Sequence, residues 1–180
     1  MKKNVYKLTE TAVMLAVLIT LQLVTKPMGQ LVTGTCVNAV LGITTLVCGV
    51  GSGAVVALVS PVAAFLLGIA PQVLTVPAIM MGNLVLVLVL GWKRKNTQHL
   101  WVDYLRCVCG AVAKFSVLYF LVVQVVCHLA ADYFMQSGTL KPPMVSVLSS
   151  TFAWPQLITA LLGSVLATWI APVLHRVLHK

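Results

Sequence analysis

Acidic residues are scarce in this chain. Its 180 residues include only three carboxylates, Glu10, Asp103 and Asp132. The orientation predicted from the basic residues places the first two near one membrane face and the third beyond the other. General acid–base catalysis needs both groups of a carboxylate pair at one site. We therefore expect no carboxylate pair that could share acid and base roles.

Charged residues of both signs are too few for a soluble domain. They make up 8% of the sequence, while 60% is hydrophobic, and soluble domains carry roughly a quarter charged residues. The composition therefore predicts an integral membrane protein. The net charge of +9 does not indicate nucleic-acid binding, because the basic residues lie between apolar runs and do not form a patch interleaved with aromatics.

Motifs for nucleotide hydrolysis are missing as well. The segment GVGSG, residues 49–53, is glycine-rich but lacks the Gly-Lys-Ser/Thr of a phosphate-binding P-loop. A tight turn between two spans is the favoured interpretation, since glycine adopts turn conformations without steric cost. The sequence therefore predicts no ATP hydrolysis by this chain itself.

Metal-ligand patterns are equally weak. Cys107 and Cys109 lie two residues apart, so on a helix they point to nearly opposite sides and cannot ligate one ion. His175 and His179 lie one helical turn apart and could bind a metal. Their neighbours Arg176 and Lys180 are more typical of a basic cytoplasmic tail. We expect neither a metal nor a cofactor.

Long apolar runs dominate what is present. A membrane-spanning helix needs about 20 apolar residues, with a range near 17–25. The third run is short and contains Pro61, which favours a tilt or a kink. The predicted fold is an all-α integral membrane protein, a single domain over residues 1–180 whose six transmembrane helices form one compact bundle. The predicted spans are 8–25, 31–50, 53–69, 75–91, 107–129 and 152–174.

Basic residues predict the orientation. Cytoplasmic flanks of membrane proteins carry an excess of lysine and arginine. Only Lys26 and Lys141 fall on the other side, so both termini are predicted to be cytoplasmic and the connection 130–151 to be the largest outer feature. The residues on the cytoplasmic side are Lys2, Lys3, Lys7, Lys93, Arg94, Lys95, Arg106, Arg176 and Lys180.

One lysine interrupts an apolar run. Lys114 lies within GAVAKFSVLYFLVV, residues 110–123, where a cation costs about 2.5–3.5 kcal/mol on insertion scales. It lies about 10 Å from the predicted cytoplasmic end of its span, so its stem could snorkel part of that distance. The alternative is a buried cation that meets an anionic ligand group or organises the polar interior beneath a site. We favour this second hypothesis.

Neutral polar residues gather in the outer half of the predicted bundle. A single amide in a membrane helix most commonly bonds a neighbouring helix. Several at a common depth indicate an outward-open cavity, apolar with a few placed donors and acceptors, as small-molecule sites usually are. With Lys114, the predicted substrate-binding residues are Gln30, Asn38, Gln72, Asn83, Gln124, Trp154 and Gln156.

Four stretches resemble the substrate-binding S components of energy-coupling factor (ECF) transporters. GQLVTGTCVNAVL, residues 29–41, is similar to the loop and second helix of that group, and GVGSGAVVALVSPVAAFLLGI, residues 49–69, is similar to its next turn and helix. VPAIMMGNLVLV around Asn83 and WPQLITALLG around Gln156 are similar to later helices. The resemblance covers nearly the whole chain, including its length and six spans.

The resemblance implies a subunit of a prokaryotic plasma membrane that captures a vitamin or similar micronutrient from outside. It also implies three partners, a transmembrane coupling subunit and two cytoplasmic ATPases, which agrees with the missing P-loop. The small residues Ala12 and Ala16 match the family's motif on the first helix, which contacts the coupling subunit. Two small residues four apart let another helix approach closely.

Two other functions stay open from the residues alone. A self-sufficient small carrier or channel is the first. A coupled carrier usually holds an intramembrane acid, and no predicted span contains one except Glu10, near the inner rim of the first span. An intramembrane enzyme that uses Lys114 or a histidine is the second. It lacks a nucleophile–base pair at one depth.

Overall fold

The computed structural model describes residues 2–69, 72–92 and 100–178, and no strand occurs among them. The all-α prediction is confirmed for this part of the chain. The basic residues Lys93, Arg94, Lys95, His179 and Lys180 lie outside it. The helices are α1 (Lys2–Thr25), α2 (Gln30–Val47), α3 (Val50–Leu66), α4 (Val76–Gly91), α5 (Leu100–Leu118), α6 (Ala131–Gln136), α7 (Pro142–Thr151) and α8 (Trp154–Leu178).

Among the described residues, five apolar stretches are long enough to cross a membrane, as in a multi-pass membrane protein. The sixth predicted span, α3, is apolar but has 17 residues, the lower limit for a crossing helix. Six crossings and their orientation therefore stay predictions, and the outer ends of the helices are those that this orientation predicts to lie outside the cell. The five long stretches are Val5–Met28, Gln30–Val47, Val73–Gly91, Trp101–Leu129 and Pro142–Val177.

The chain reverses between α2 and α3 earlier than the glycine pattern predicts. The turn lies at Cys48–Gly49, where Gly49 has a φ of 96°, a left-handed conformation that strongly favours glycine. Gly51 and Gly53, predicted to form the turn, belong to the first turns of α3. At Gly53 a β-carbon would collide with Thr45 of α2, so this glycine permits the close return of α3 along α2.

The helix that carries Lys114 begins earlier than predicted, and its last part is a π-helix. Its apolar stretch covers Trp101–Leu129, whereas the predicted span begins at 107. Beyond Leu118 the helix continues as a π-helix over Tyr119–Leu129, in which each N–H bonds the carbonyl five residues back. The last such bond joins Ala130 N to Val125 O at 2.8 Å.

The predicted outer connection is largely helical. It contains α6 and α7, and Pro142 occupies the first turn of α7, where a missing N–H costs nothing. Leu140 and Leu148 are buried in one apolar cluster with Leu118 and Val122 of the long helix. The segment is therefore packed against the outer end of α5 and its π-helical continuation.

The tightest helix pair is α2 with α8. These two helices pack more extensively than any other pair in the described residues. A β-carbon on Gly163 of α8 would lie 2.5 Å from the Asn38 β-carbon and 2.7 Å from the Thr35 carbonyl oxygen. One on Gly42 would lie 2.5 Å from the β-carbon of Ala167. The absence of side chains lets the two backbones approach closely, as helices do in lipid.

Candidate functional site

Lys114 lies inside the bundle. Its side chain is 3% exposed, and its Nζ donates hydrogen bonds to Asn38 Oδ1 at 2.5 Å and to Asn83 Oδ1 at 2.6 Å. The lysine therefore ties α5 to α2 and α4. It extends toward these amides in the interior of the bundle.

The position of Lys114 on its helix explains this orientation. Cys107, Ala111 and Leu118 are also buried, and their spacing from Lys114 follows one face of an α-helix. Val112, two residues away, is exposed on another face. The sequence of α5 therefore places the cation on its interior stripe.

A threonine completes this polar cluster. Asn38 Nδ2 donates to Thr159 Oγ1 at 3.4 Å, and the Thr159 hydroxyl in turn donates to the main-chain oxygen of Gln156 at 3.2 Å. Asn38, Asn83 and Thr159 are all buried. We call Asn38, Asn83, Lys114 and Thr159 the Lys114 cluster; it joins four helices, α2, α4, α5 and α8.

The charge of Lys114 has no counter-ion in the described part of the chain. The ion pair found there, Arg106–Asp103 at 3.0 Å, lies nearer the start of α5. Two amide oxygens therefore provide all the compensation that the ammonium receives from these residues. Hydrogen bonds to a charged group contribute about 1.5–3 kcal/mol each, which is comparable to the insertion cost of a lysine.

Of the other predicted site residues, Gln156 lies next to the cluster. It is buried, and its main-chain oxygen accepts from Thr159. Its side-chain amide contacts the Thr151 carbonyl oxygen at 3.4 Å, which links the start of α8 to the end of α7. Gln156 therefore connects the Lys114 cluster to the helical outer segment.

Four predicted residues make contacts elsewhere. Gln124 donates to the Tyr119 hydroxyl at 3.4 Å on its own helix. Gln72 donates to Met144 Sδ at 2.6 Å, and so joins the turn before α4 to α7. Trp154 is 69% exposed and stacks on Phe115, with ring centroids 6.0 Å apart. The fourth, Gln30, is exposed at the start of α2.

The two alanines predicted to contact a partner are exposed. Ala12 and Ala16 lie on the outward-facing side of α1, next to the exposed Val13 and Val17. The opposite side of the helix is buried at Leu18. These alanines therefore do not serve packing within the described bundle.

Sequence reasoning missed Thr159. It lies three residues after Gln156 and so shares a helix face with it. This spacing was the available signal. A threonine in an apolar helix does not by itself indicate a site, because its hydroxyl can bond the backbone of its own helix.

No protein-family model matches the chain, and neither a curated protein nor a solved structure is significantly similar to it. In the described residues no group of three or more His, Cys, Asp or Glu side chains could hold a metal ion. The Lys114 cluster is therefore the candidate functional site of this chain.

Proposed function

We propose that this chain is the membrane-embedded substrate-capture subunit of an ATP-driven importer of the ECF type. In this role it binds a vitamin or similar micronutrient from the outside of a prokaryotic plasma membrane. A transmembrane coupling subunit and two cytoplasmic ATPases complete delivery. The observation that carries the proposal is the buried Lys114 cluster.

The cluster supports binding because a stable helical bundle in lipid needs no charge in its interior. Small residues and packing suffice to hold membrane helices together, as the contact of Gly163 with α2 illustrates. An ionisable residue held inside such a bundle is costly and is typically part of a ligand or ion pathway. Lys114 combines burial with two polar partners from different helices, an arrangement suited to a polar ligand group.

Dependence on partner proteins is supported by two further features. The sequence has no P-loop, so ATP-driven transport through this chain requires an ATPase on another chain. The exposed pair Ala12 and Ala16 offers a shallow surface near the predicted cytoplasmic end of α1, where a second helix could approach backbone to backbone.

Three measurements test the proposal, one each on purified protein, on cells and on proteoliposomes. The protein is purified in mild detergent, and any small molecule that accompanies it is identified by mass spectrometry. Uptake of that compound is then measured in cells with and without the partner ATPases, and in proteoliposomes that contain this chain alone. We expect uptake only with the ATPases; ATP-independent flux in the proteoliposomes would establish a self-sufficient carrier instead.

Leucine at both Ala12 and Ala16 is expected to abolish complex formation and uptake while folding and ligand binding stay normal. The larger side chains fill the groove but add only apolar surface toward lipid in the free subunit. Copurification with the ATPases and cellular uptake are the measurements.

Ala12→Ser/Ala16→Ser is the matched control, because serine keeps the groove open. An intact complex and normal uptake in the leucine variant would refute the docking role. Lost ligand binding in that variant would assign the alanines to internal structure.

A further inference from the structure

The Lys114 cluster contains more hydrogen-bond donors than acceptors. The lysine ammonium has three N–H donors and each asparagine amide has two. In the described residues, two ammonium donors and one Asn38 donor have acceptors. The four remaining donors, one on Lys114, one on Asn38 Nδ2 and two on Asn83 Nδ2, find none there, so the cluster can still donate to an added group.

The orientation of both amides directs their oxygens to the ammonium and leaves N–H donors unpaired. Asn38 and Asn83 each turn their oxygen to the ammonium, which fixes the Asn83 NH₂ group on the other side of its amide plane. Donors left unmatched in a buried site destabilise it unless a ligand or water accepts them. The acceptor that the site lacks must therefore come from outside the described protein groups.

The positive charge of Lys114 limits which chemical groups can serve as that acceptor. Glu10, Asp103 and Asp132 are all described, and none forms an ion pair with Lys114. The cluster holds a single cation, so a singly charged anion would neutralise it, whereas a doubly charged phosphate ester would leave an excess negative charge in the bundle. A carboxylate brings one charge and two acceptor oxygens.

We propose that this site recognises a carboxylate group of its ligand, which accepts hydrogen bonds from Lys114 and Asn83 and neutralises the lysine. This inference rests on the proposed function, since it names the chemical class of the captured micronutrient. Asn38 then acts as a positioning residue, because it accepts from the ammonium and is itself bonded to Thr159 of α8.

The test uses the full-length protein, stripped of small molecules in detergent, and a metabolite extract of the source cells. One portion of the extract is untreated, a second has its carboxylates coupled to methylamine with a carbodiimide, and a third is treated with phosphatase. Compounds retained after desalting are identified by mass spectrometry. We expect retention of a compound with a free carboxylate from the untreated and phosphatase-treated portions, and its loss from the amidated one.

Two variants locate the contact. Lys114→Met should lower retention of that compound at least tenfold, whereas Lys141→Gln, which removes an exposed outer cation, should leave it unchanged. Unchanged retention by Lys114→Met would overturn the inference. The amidated portion is tested with the wild-type protein alone. It therefore shows whether the ligand needs a free carboxylate even if a variant fails to fold.

The outcomes separate the inference from the proposed function. A retained neutral compound, or one lost after phosphatase treatment, overturns carboxylate recognition and leaves the capture function standing. Retention of nothing by the wild-type protein contradicts both. A retained carboxylate that is lost on amidation and in Lys114→Met supports both.

Discussion

Alanine at Gly163 is expected to cost at least about 1–3 kcal/mol of stability, the usual range for overpacking a well-packed interior. The new β-carbon would lie 2.5 Å from the Asn38 β-carbon, 2.7 Å from the Thr35 oxygen and 2.8 Å from the Ala39 nitrogen. Two of these are backbone atoms, so no side-chain rotation relieves the collision. Helix α8 must move away from α2, and thermal unfolding in detergent should report the loss.

The same displacement should weaken ligand binding, because Asn38 lies at the point of collision and bonds both Lys114 and Thr159. Gly51→Ala is the matched control. Its β-carbon meets nothing within 4 Å, and alanine favours helix over glycine by about 1 kcal/mol. The control should be as stable as wild type or more so, and wild-type stability in Gly163→Ala would show that α2 and α8 do not pack as described.

Leucine at Asn83 is expected to destabilise the protein more than methionine at Lys114 does. Asn83→Leu leaves a buried ammonium with one amide partner, and a lost hydrogen bond to a charged group costs about 1.5–3 kcal/mol. Lys114→Met removes the charge together with its need for compensation. Because the two side chains are in contact at 2.6 Å, their effects should not add.

A double-mutant cycle measures this coupling by denaturant or thermal unfolding in detergent. The variant Asn83→Leu/Lys114→Met should be more stable than Asn83→Leu alone, with a coupling energy of about 0.5–3 kcal/mol. Additive losses would mean that lysine and amide do not interact in the folded protein. The ligand experiments then show whether the bond serves binding as well as stability.

The helical class of the fold and most of its long helices could be predicted from the apolar runs, because a membrane-spanning helix needs about 20 apolar residues. The glycines indicate a turn between α2 and α3. The exact turn between α2 and α3 could not be predicted, since Gly49, Gly51 and Gly53 all permit it and the choice depends on how α3 packs on Thr45. The helical outer segment was also missed. Pro142 is compatible both with a loop and with the first turn of a helix, so it does not decide between them.

The candidate site was only partly predictable. A lysine in an apolar run signals a polar interior, and asparagines in neighbouring helices are natural partners for it. Which amides meet the lysine depends on helix rotation, and this separates Asn38 and Asn83 from Gln124, which bonds Tyr119 on its own helix. Depth along a helix places a residue in the bilayer, but the face that it occupies depends on packing.

The π-helical segment Tyr119–Leu129 indicates where this chain can tolerate a change of length. A π-turn holds one residue more per hydrogen bond than an α-turn, so a one-residue deletion there can be absorbed by a return to the α-helical pattern. The same deletion between Gln30 and Asn38 would rotate Asn38 by about 100°, away from Lys114. One-residue deletions among homologues should therefore fall in the outer third of this helix and avoid the first half of α2.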